Sequence, residues 1–354
     1  MYKLKISSSL KPYCLEFTNN YSKDLKKLYS KGDLILIDSI IFSTYGLPRF
    51  INKLAIIIIK TDESKKEYLY IAKIISDILK KDFSKKNKII CIGGGVLQDI
   101  CSFISLILFR GFDWVFFPTT LLSQADSCIG GKISINFNKY KNQIGNYYPP
   151  NWIYIDMNFL STLKKNQFYS GIGEIMHFYL VSSRRDFLMI KNNLDLLLNR
   201  DKKTMLKIIS RCLEIKKRFI ESDEFDNGIR NLLNYGHTFG HALESVTNYK
   251  IPHGIAVAHG MNIANFISYE YGYLSKKNFN NMQNILSKIY SFKYPKKFDQ
   301  KKFQKFLLKD KKTLKGELSI ILSKRLGKVF IKKQKLDHNF IKILNKYFRI
   351  YFNF

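Results

Sequence analysis

Short, dense apolar runs punctuate the first half of the chain. Residues 34–37, 55–59 and 89–92 are rich in Ile and Leu and short enough to be strands. Residues 67–79, lying between such runs, carry apolar positions at helical spacing. This alternation predicts a parallel α/β sheet. From about residue 161 the period changes to long helical repeats at 188–198, 204–220, 230–246 and 255–271. The expected organisation is an α/β domain over 1–160 followed by a mainly α-helical domain over 161–354. No internal repeat and no Gly/Ser- or Pro-rich linker separates the halves, so they are expected to pack closely around a cleft.

Composition narrows the picture. A chain of 354 residues with 46% hydrophobic and 15% aromatic content has enough apolar surface for two cores, which excludes a disordered protein. No apolar run approaches the roughly 18 to 20 residues that cross a bilayer, and residues 1–17 lack the apolar core of an export signal. A cytoplasmic location is therefore expected. The five cysteines are scattered and never spaced C-x-x-C, so neither a disulfide framework nor a cysteine-held zinc is expected. Lys and Arg number 59 against 28 Asp and Glu, a net +31. The lysines are spread among Asn, Ile, Phe and Tyr, the signature of an AT-rich coding bias, and no nucleic-acid or membrane partner is expected. The positive field does favour an anionic substrate.

Three groups of residues carry chemistry. The run Gly93-Gly94-Gly95-Val96 follows an apolar strand and precedes a helical stretch, the arrangement in which backbone amides and a helix N-terminus cradle a pyrophosphate. Five of the six histidines (His177, His237, His241, His253, His259) fall between positions 177 and 259, a clustering that argues against core filling. His237 and His241 stand at i, i+4, and Glu174 and His177 at i, i+3, a carboxylate–imidazole spacing found in helix-borne metal sites. Zinc takes His nitrogen and carboxylate oxygen and leaves one position open in a catalytic site. Spacing alone leaves open which three residues ligate. The third group is cationic: Arg110, Lys132, Lys141, Lys216, Arg230, Lys311 and Lys312, of which Lys132 and Lys141 stand beside glycine-bearing loops suited to a phosphate.

Together these segments resemble the 3-dehydroquinate synthase family. The resemblance rests on Gly93-Gly94-Gly95-Val96 with Asp99, Arg110-Gly111, residues 118–127 (PTTLLSQADS), Gly130-Gly131-Lys132, Lys141-Asn142 with Ile144-Gly145, residues 170–174 (SGIGE), residues 230–244 (RNLLNYGHTFGHALE) and His253-Gly254. It implies a Rossmann-like NAD-binding domain and a helical metal-binding domain. Zinc, or cobalt in its place, would be held by Glu174, His237 and His253, with His241 left to the substrate. NAD would lie on Gly93, Gly94, Gly95 and Val96, lined by Asp38, Glu63, Lys66, Asp99, Thr119, Thr120, Asp126, Lys132, Lys141, Phe159 and Thr162. The substrate's phosphate and carboxylate would meet Lys132, Lys141, Asn142, Lys216, Arg230, Asn234, His241 and one of Lys311 and Lys312. Arg110 would reach the neighbouring subunit of a homodimer. The implied reaction converts 3-deoxy-D-arabino-heptulosonate 7-phosphate to 3-dehydroquinate and phosphate, through transient oxidation at C5, phosphate elimination, reduction, ring opening and aldol closure.

The chain departs from the family pattern at four positions. His177 stands where lysine is usual, Ile255 where glutamate usually follows His-Gly, Lys165 in place of an arginine, and Ile40 in place of a polar residue near the NAD ribose. The alternatives within the superfamily are other sugar-phosphate cyclases and the metal-dependent alcohol and glycerol dehydrogenases. Arg230 and His241 favour a substrate bearing a carboxylate.

Overall fold

The computed structural model describes residues 2–138, 140–290, 298–308 and 317–351, which divide into two compact units. The first comprises residues 1–163 and 216–225, the second 164–215 and 226–354.

The first unit is built on strands β1 (Lys3–Ile6), β2 (Tyr13–Thr18), β3 (Leu34–Asp38), β4 (Ile56–Ile59), β5 (Ile89–Gly93), β6 (Trp114–Pro118), β7 (Ile135–Phe137), β8 (Tyr140–Ile144) and β9 (Trp152–Asp156). Its helices are α1 (Tyr21–Leu28), α2 (Ser39–Tyr45), α3 (Tyr68–Leu79) and α4 (Gly95–Ile107). Seven strands form one sheet in the order β1-β2-β9-β6-β5-β3-β4, parallel except for β1, while β7 and β8 form a small hairpin. Every residue of β3, β5 and β6 is buried. Helices cover both faces of a parallel sheet, so a central strand reads as a continuous apolar run rather than an alternation. The core gathers Ile35, Ile37, Ile90, Ile92, Val115 and Phe117 from these strands. The order reverses between β3 and β5, because β4 lies on one side of β3 and the strands from β5 onward continue on the other. In such sheets the crevice at the carboxyl ends of the switch-point strands is the ligand position. Asp38 ends β3 and Gly93 ends β5.

The second unit contains α5 (Lys165–Ser182), α6 (Arg184–Leu198), most of α7 (Lys202–Ser222), α8 (His237–Val246), α9 (His253–Glu270), α10 (Lys276–Ser287), α11 (Gln300–Leu308), the antiparallel hairpin of β10 (Glu317–Arg325) and β11 (Lys328–Lys335), and α12 (His338–Tyr351). Helix α9 is buried at every position from 254 to 268 and is the central helix, since an all-round apolar helix needs neighbours on every side. The helical repeat expected over 230–246 is broken. Residues Ile229–Asn234 form a 3₁₀ segment, Gly236 adopts φ +85°, and α8 starts afresh at His237. A residue with a Cβ is strained at that φ, so glycine is what lets the chain turn there. The β10–β11 hairpin was not expected from the helical pattern of this half.

No helix among the described residues is long and apolar enough to cross a membrane. All five cysteines are free thiols.

Candidate active site

Three of the second unit's helices bring the metal-type side chains together. Glu174 lies inside α5, His237 is the first residue of α8 and His253 the first of α9. Helices α5 and α9 meet backbone to backbone. A Cβ on Gly173 would lie 1.9 Å from the Gly254 carbonyl oxygen, and one on Gly254 would lie 1.8 Å from that of Ser170. Each of these glycines is sequence neighbour to a metal-type residue, so the close approach sets the distance between Glu174 and His253.

The donor atoms of Glu174, His237 and His253 all lie within 4.8 Å of one another. Glu174 Oε1 is 3.2 Å from His253 Nε2, and Oε2 is 3.7 Å from His237 Nε2. A tetrahedral ion with bonds of about 2.0 to 2.1 Å holds its ligand atoms about 3.3 Å apart, so these separations suit zinc. Glu174 is 2% exposed, and among the described residues no hydrogen-bond donor satisfies its Oε1. Burying an ionised carboxylate on those terms is costly unless a cation meets it.

A second group, His241, Glu244 and His253, also lies within metal-binding reach. It shares His253 and is the poorer site, because Glu244 is already engaged by His253 Nδ1 at 3.0 Å. Nδ1 must donate to a carboxylate, which leaves the Nε2 lone pair facing Glu174 and His237. The pair thus reads as a carboxylate orienting a metal-bound histidine. Sequence reasoning assigned Glu244 no role. The signal was present: His237, His241 and Glu244 fall at i, i+4 and i+7, one face of α8.

The remaining histidines part company. His241 is exposed at the rim, its ring 5.6 Å from that of His253. His177 is 2% exposed, with Nδ1 3.2 Å from Glu174 Oε2. His259 corrects the expectation that clustered histidines are not core. It is 1% exposed on α9, its ring against Tyr290, and burial pushes its pKa down to about 3. Arg230 is buried in the 3₁₀ segment, where Asn234 follows it.

In the first unit, Gly93 ends β5, Gly94 is the N-cap of α4, and Gly95 and Val96 begin the helix. Side chains cap α1, α2, α3 and α6, but none caps α4. A Cβ on Gly95 would meet only Ser127 Oγ, at 3.8 Å. The turn therefore offers first-turn amides and open space to an anion. Asp38 caps α2 by accepting from the Ile40 and Ile41 amides and also takes the Thr61 hydroxyl. Buried Lys66 pairs with Asp99 at 2.8 Å and donates to Asn142 Oδ1 at 3.2 Å; Glu63 lies 3.8 Å from its ammonium. Burial raises the Asp99 pKa, with the Lys66 charge opposing. Lys216, which belongs to this unit, holds Asp126 through Oδ1 at 2.8 Å and the backbone oxygen at 2.6 Å. Thr119 is buried, its amide bonded to the Gly93 carbonyl, and Thr120 bonds Ser123.

Lys132 and Lys141 are exposed around the β7–β8 hairpin, and Thr162 is exposed and bonded to Tyr45. Arg110 is exposed with φ +61°. The Phe159 ring is 1% exposed between Tyr21 and Tyr45, so it is part of the sheet's core and offers no face to a ligand. Lys311 and Lys312 lie outside the described residues.

Comparison with known proteins agrees with this geometry. Family models described as 3-dehydroquinate synthase N-terminal and C-terminal match residues 56–170 and 171–313. The 3-dehydroquinate synthase of Dictyoglomus turgidum is 34% identical over 292 residues, 82% of either chain. Two solved structures share the fold, each with TM-score 0.84 and 21% identity. One is 2-deoxy-scyllo-inosose synthase complexed with carbaglucose-6-phosphate, NAD+ and Co2+, with 99% of this chain and 100% of that one covered. The other is 2-epi-5-epi-valiolone synthase from Streptomyces hygroscopicus subsp. jinggangensis 5008 with NAD+ and Zn2+ bound, at 96% and 98% coverage. With both family models matched end to end along an α/β unit and a helical unit, the chain belongs to the 3-dehydroquinate synthase family.

Proposed function

We propose that the chain is a working 3-dehydroquinate synthase, converting 3-deoxy-D-arabino-heptulosonate 7-phosphate to 3-dehydroquinate and phosphate with NAD and zinc. The observation that carries the reading is the convergence of Glu174, His237 and His253, with the buried Glu174 carboxylate lacking a donor on Oε1. Zinc would be held by these three residues and NAD by the Gly93–Gly95 turn. When bound, they supply Lewis-acid polarisation of the substrate's C4 and C5 oxygens and a reversible hydride acceptor.

The protein's own part is positioning. Glu244 orients His253 through Nδ1, and Lys66 bound to Asp99 fixes a cation beside the uncapped α4 turn. Arg230, Asn234 and His241 are assigned to the substrate carboxylate and hydroxyls, and Lys132, Lys141, Asn142 and Lys216 to its phosphate. One of Lys311 and Lys312 joins them. The leaving phosphate can itself accept the C6 proton, so elimination demands no protein base. Ring opening and aldol closure then need one conformer held away from water, which is an effect of orientation. We further assign a homodimer, in which Arg110 reaches the partner subunit's site, and a cytoplasmic location.

The test is an assay of metal- and NAD-replete protein with the heptulosonate phosphate, following phosphate and dehydroquinate together. Equimolar formation of both is expected. Folded, replete protein that forms neither overturns the reading. A dehydrogenase would instead accumulate NADH, which the cyclase does not.

A further inference from the structure

We propose that His177 is a positioning residue of the metal centre, gripping the Glu174 carboxylate by Oε2 so that Oε1 stays turned toward His253. The inference rests on the assignment of Glu174, His237 and His253 as metal ligands. His177 follows Glu174 by one turn of α5, with Nδ1 3.2 Å from Oε2. The two side chains are 3% and 2% exposed, so water does not compete for either group. A carboxylate only accepts hydrogen bonds, which makes the nearby ring nitrogen the donor. Among the described residues no partner meets Nδ1 in line, and Glu174 Oε2 is the acceptor beside it. A buried N–H left unmet is costly, which favours its closing on the neighbouring Oε2.

Two observations separate this role from the alternatives. The donor atoms that converge on a metal position are those of Glu174, His237 and His253, and His177 is not among them. A substrate contact, the role implied by the usual lysine, is disfavoured because His177 Nδ1 faces the Glu174 carboxylate at 3.2 Å and its ring meets that of His237 edge-on at 5.5 Å. The metal centre thus has two orienting partners, Glu244 behind His253 and His177 beside Glu174. Metal-bound groups held in this way lose affinity when their partner is removed.

The experiment compares wild type with His177→Asn, whose amide nitrogen sits about where Nδ1 does, and His177→Leu, which fills the space without a donor. Should the leucine variant not fold, by circular dichroism, His177→Ala takes its place. Zinc dissociation constants are read by competition with a chelator, and the ligand field from the visible spectrum of the Co2+-substituted proteins. The leucine variant is expected to bind zinc about 10- to 100-fold more weakly with an altered cobalt spectrum. The asparagine variant should return to within a few-fold of wild type. A leucine variant that holds zinc as tightly as wild type overturns the proposal. So does an asparagine variant as weak as leucine, because packing and not the donor would then matter. Wild-type protein that fails to hold one zinc per chain, or whose zinc survives His253→Ala, overturns the ligand assignment instead.

Discussion

The two overlapping metal-type groups make Glu244→Gln the most discriminating substitution. Glutamine has the shape of glutamate and still offers an oxygen to His253 Nδ1, now at 3.0 Å, so the change removes charge and little else. Charge-assisted hydrogen bonds are roughly twice as strong as neutral ones, and losing such a partner behind a metal-bound histidine costs about 10- to 100-fold in metal affinity. The His253 side chain is 37% exposed, and solvent screening puts the effect at the low end, about 10-fold or ~1.4 kcal/mol. Glu174→Gln replaces an anionic ligand with a neutral amide oxygen, a poor donor to zinc. Spread over four ligands, a zinc binding energy of about 10 to 16 kcal/mol is about 2.5 to 4 kcal/mol each, a loss of up to roughly 60- to 700-fold. Chelator competition measures both. The expected order is wild type, Glu244→Gln, then Glu174→Gln far behind. If Glu244→Gln loses more zinc than Glu174→Gln, the metal belongs to the His241, Glu244 and His253 group and the present assignment is wrong. If Glu244→Gln changes nothing, the carboxylate does not orient His253.

Gly173→Ala should abolish tight zinc binding and destabilise the protein by about 2 kcal/mol or more, since its Cβ would sit 1.9 Å from the Gly254 carbonyl oxygen and must force α5 from α9; metal analysis and a melting curve check this, and an alanine variant with full zinc refutes it. His259 stays neutral when folded, with its pKa at about 3, whereas the unfolded imidazole takes a proton near pH 6.5. As pH falls below about 6.5 the unfolded state binds the extra proton, so stability drops by about 1.4 kcal/mol per unit toward pH 3. His259→Phe should flatten that slope in urea unfolding of chelator-treated protein, and an unchanged slope contradicts the assignment. Arg230→Ala should weaken substrate binding by roughly 2 to 4 kcal/mol and leave NAD affinity unaltered; equal losses for both ligands would mean misfolding.

Much of this protein is legible along the chain. Central parallel strands are buried on both faces, so β3 and β5 stand out as apolar runs, and the change to a 3.6-residue period marks where the helical part begins. The motif residues that signal the family are contiguous, because a turn such as Gly93–Gly95 and a helix start such as His237 are local structures. The ligand set is different in kind. Spacing pointed equally to His237 with His241 and to Glu174 with His177, since i+3 and i+4 neighbours always share a helix face. Only the packing of α5, α8 and α9 decides that the carboxylate from one helix meets the first residue of each of the others. That packing depends on glycine meeting backbone some eighty residues away, at Gly173 and Gly254, a contact that no local pattern encodes. The same holds for the outliers. His259 carries a residue type that reads as chemistry and Phe159 was implied for NAD by the family resemblance, yet tertiary burial places both side chains in the core. Glu244, which reads as one more surface acid, gains its place behind His253 because α8 runs antiparallel to α9 and its last turn lies against the start of α9. Residue type and period are properties of a segment, while burial and the meeting of distant atoms belong to the folded chain alone.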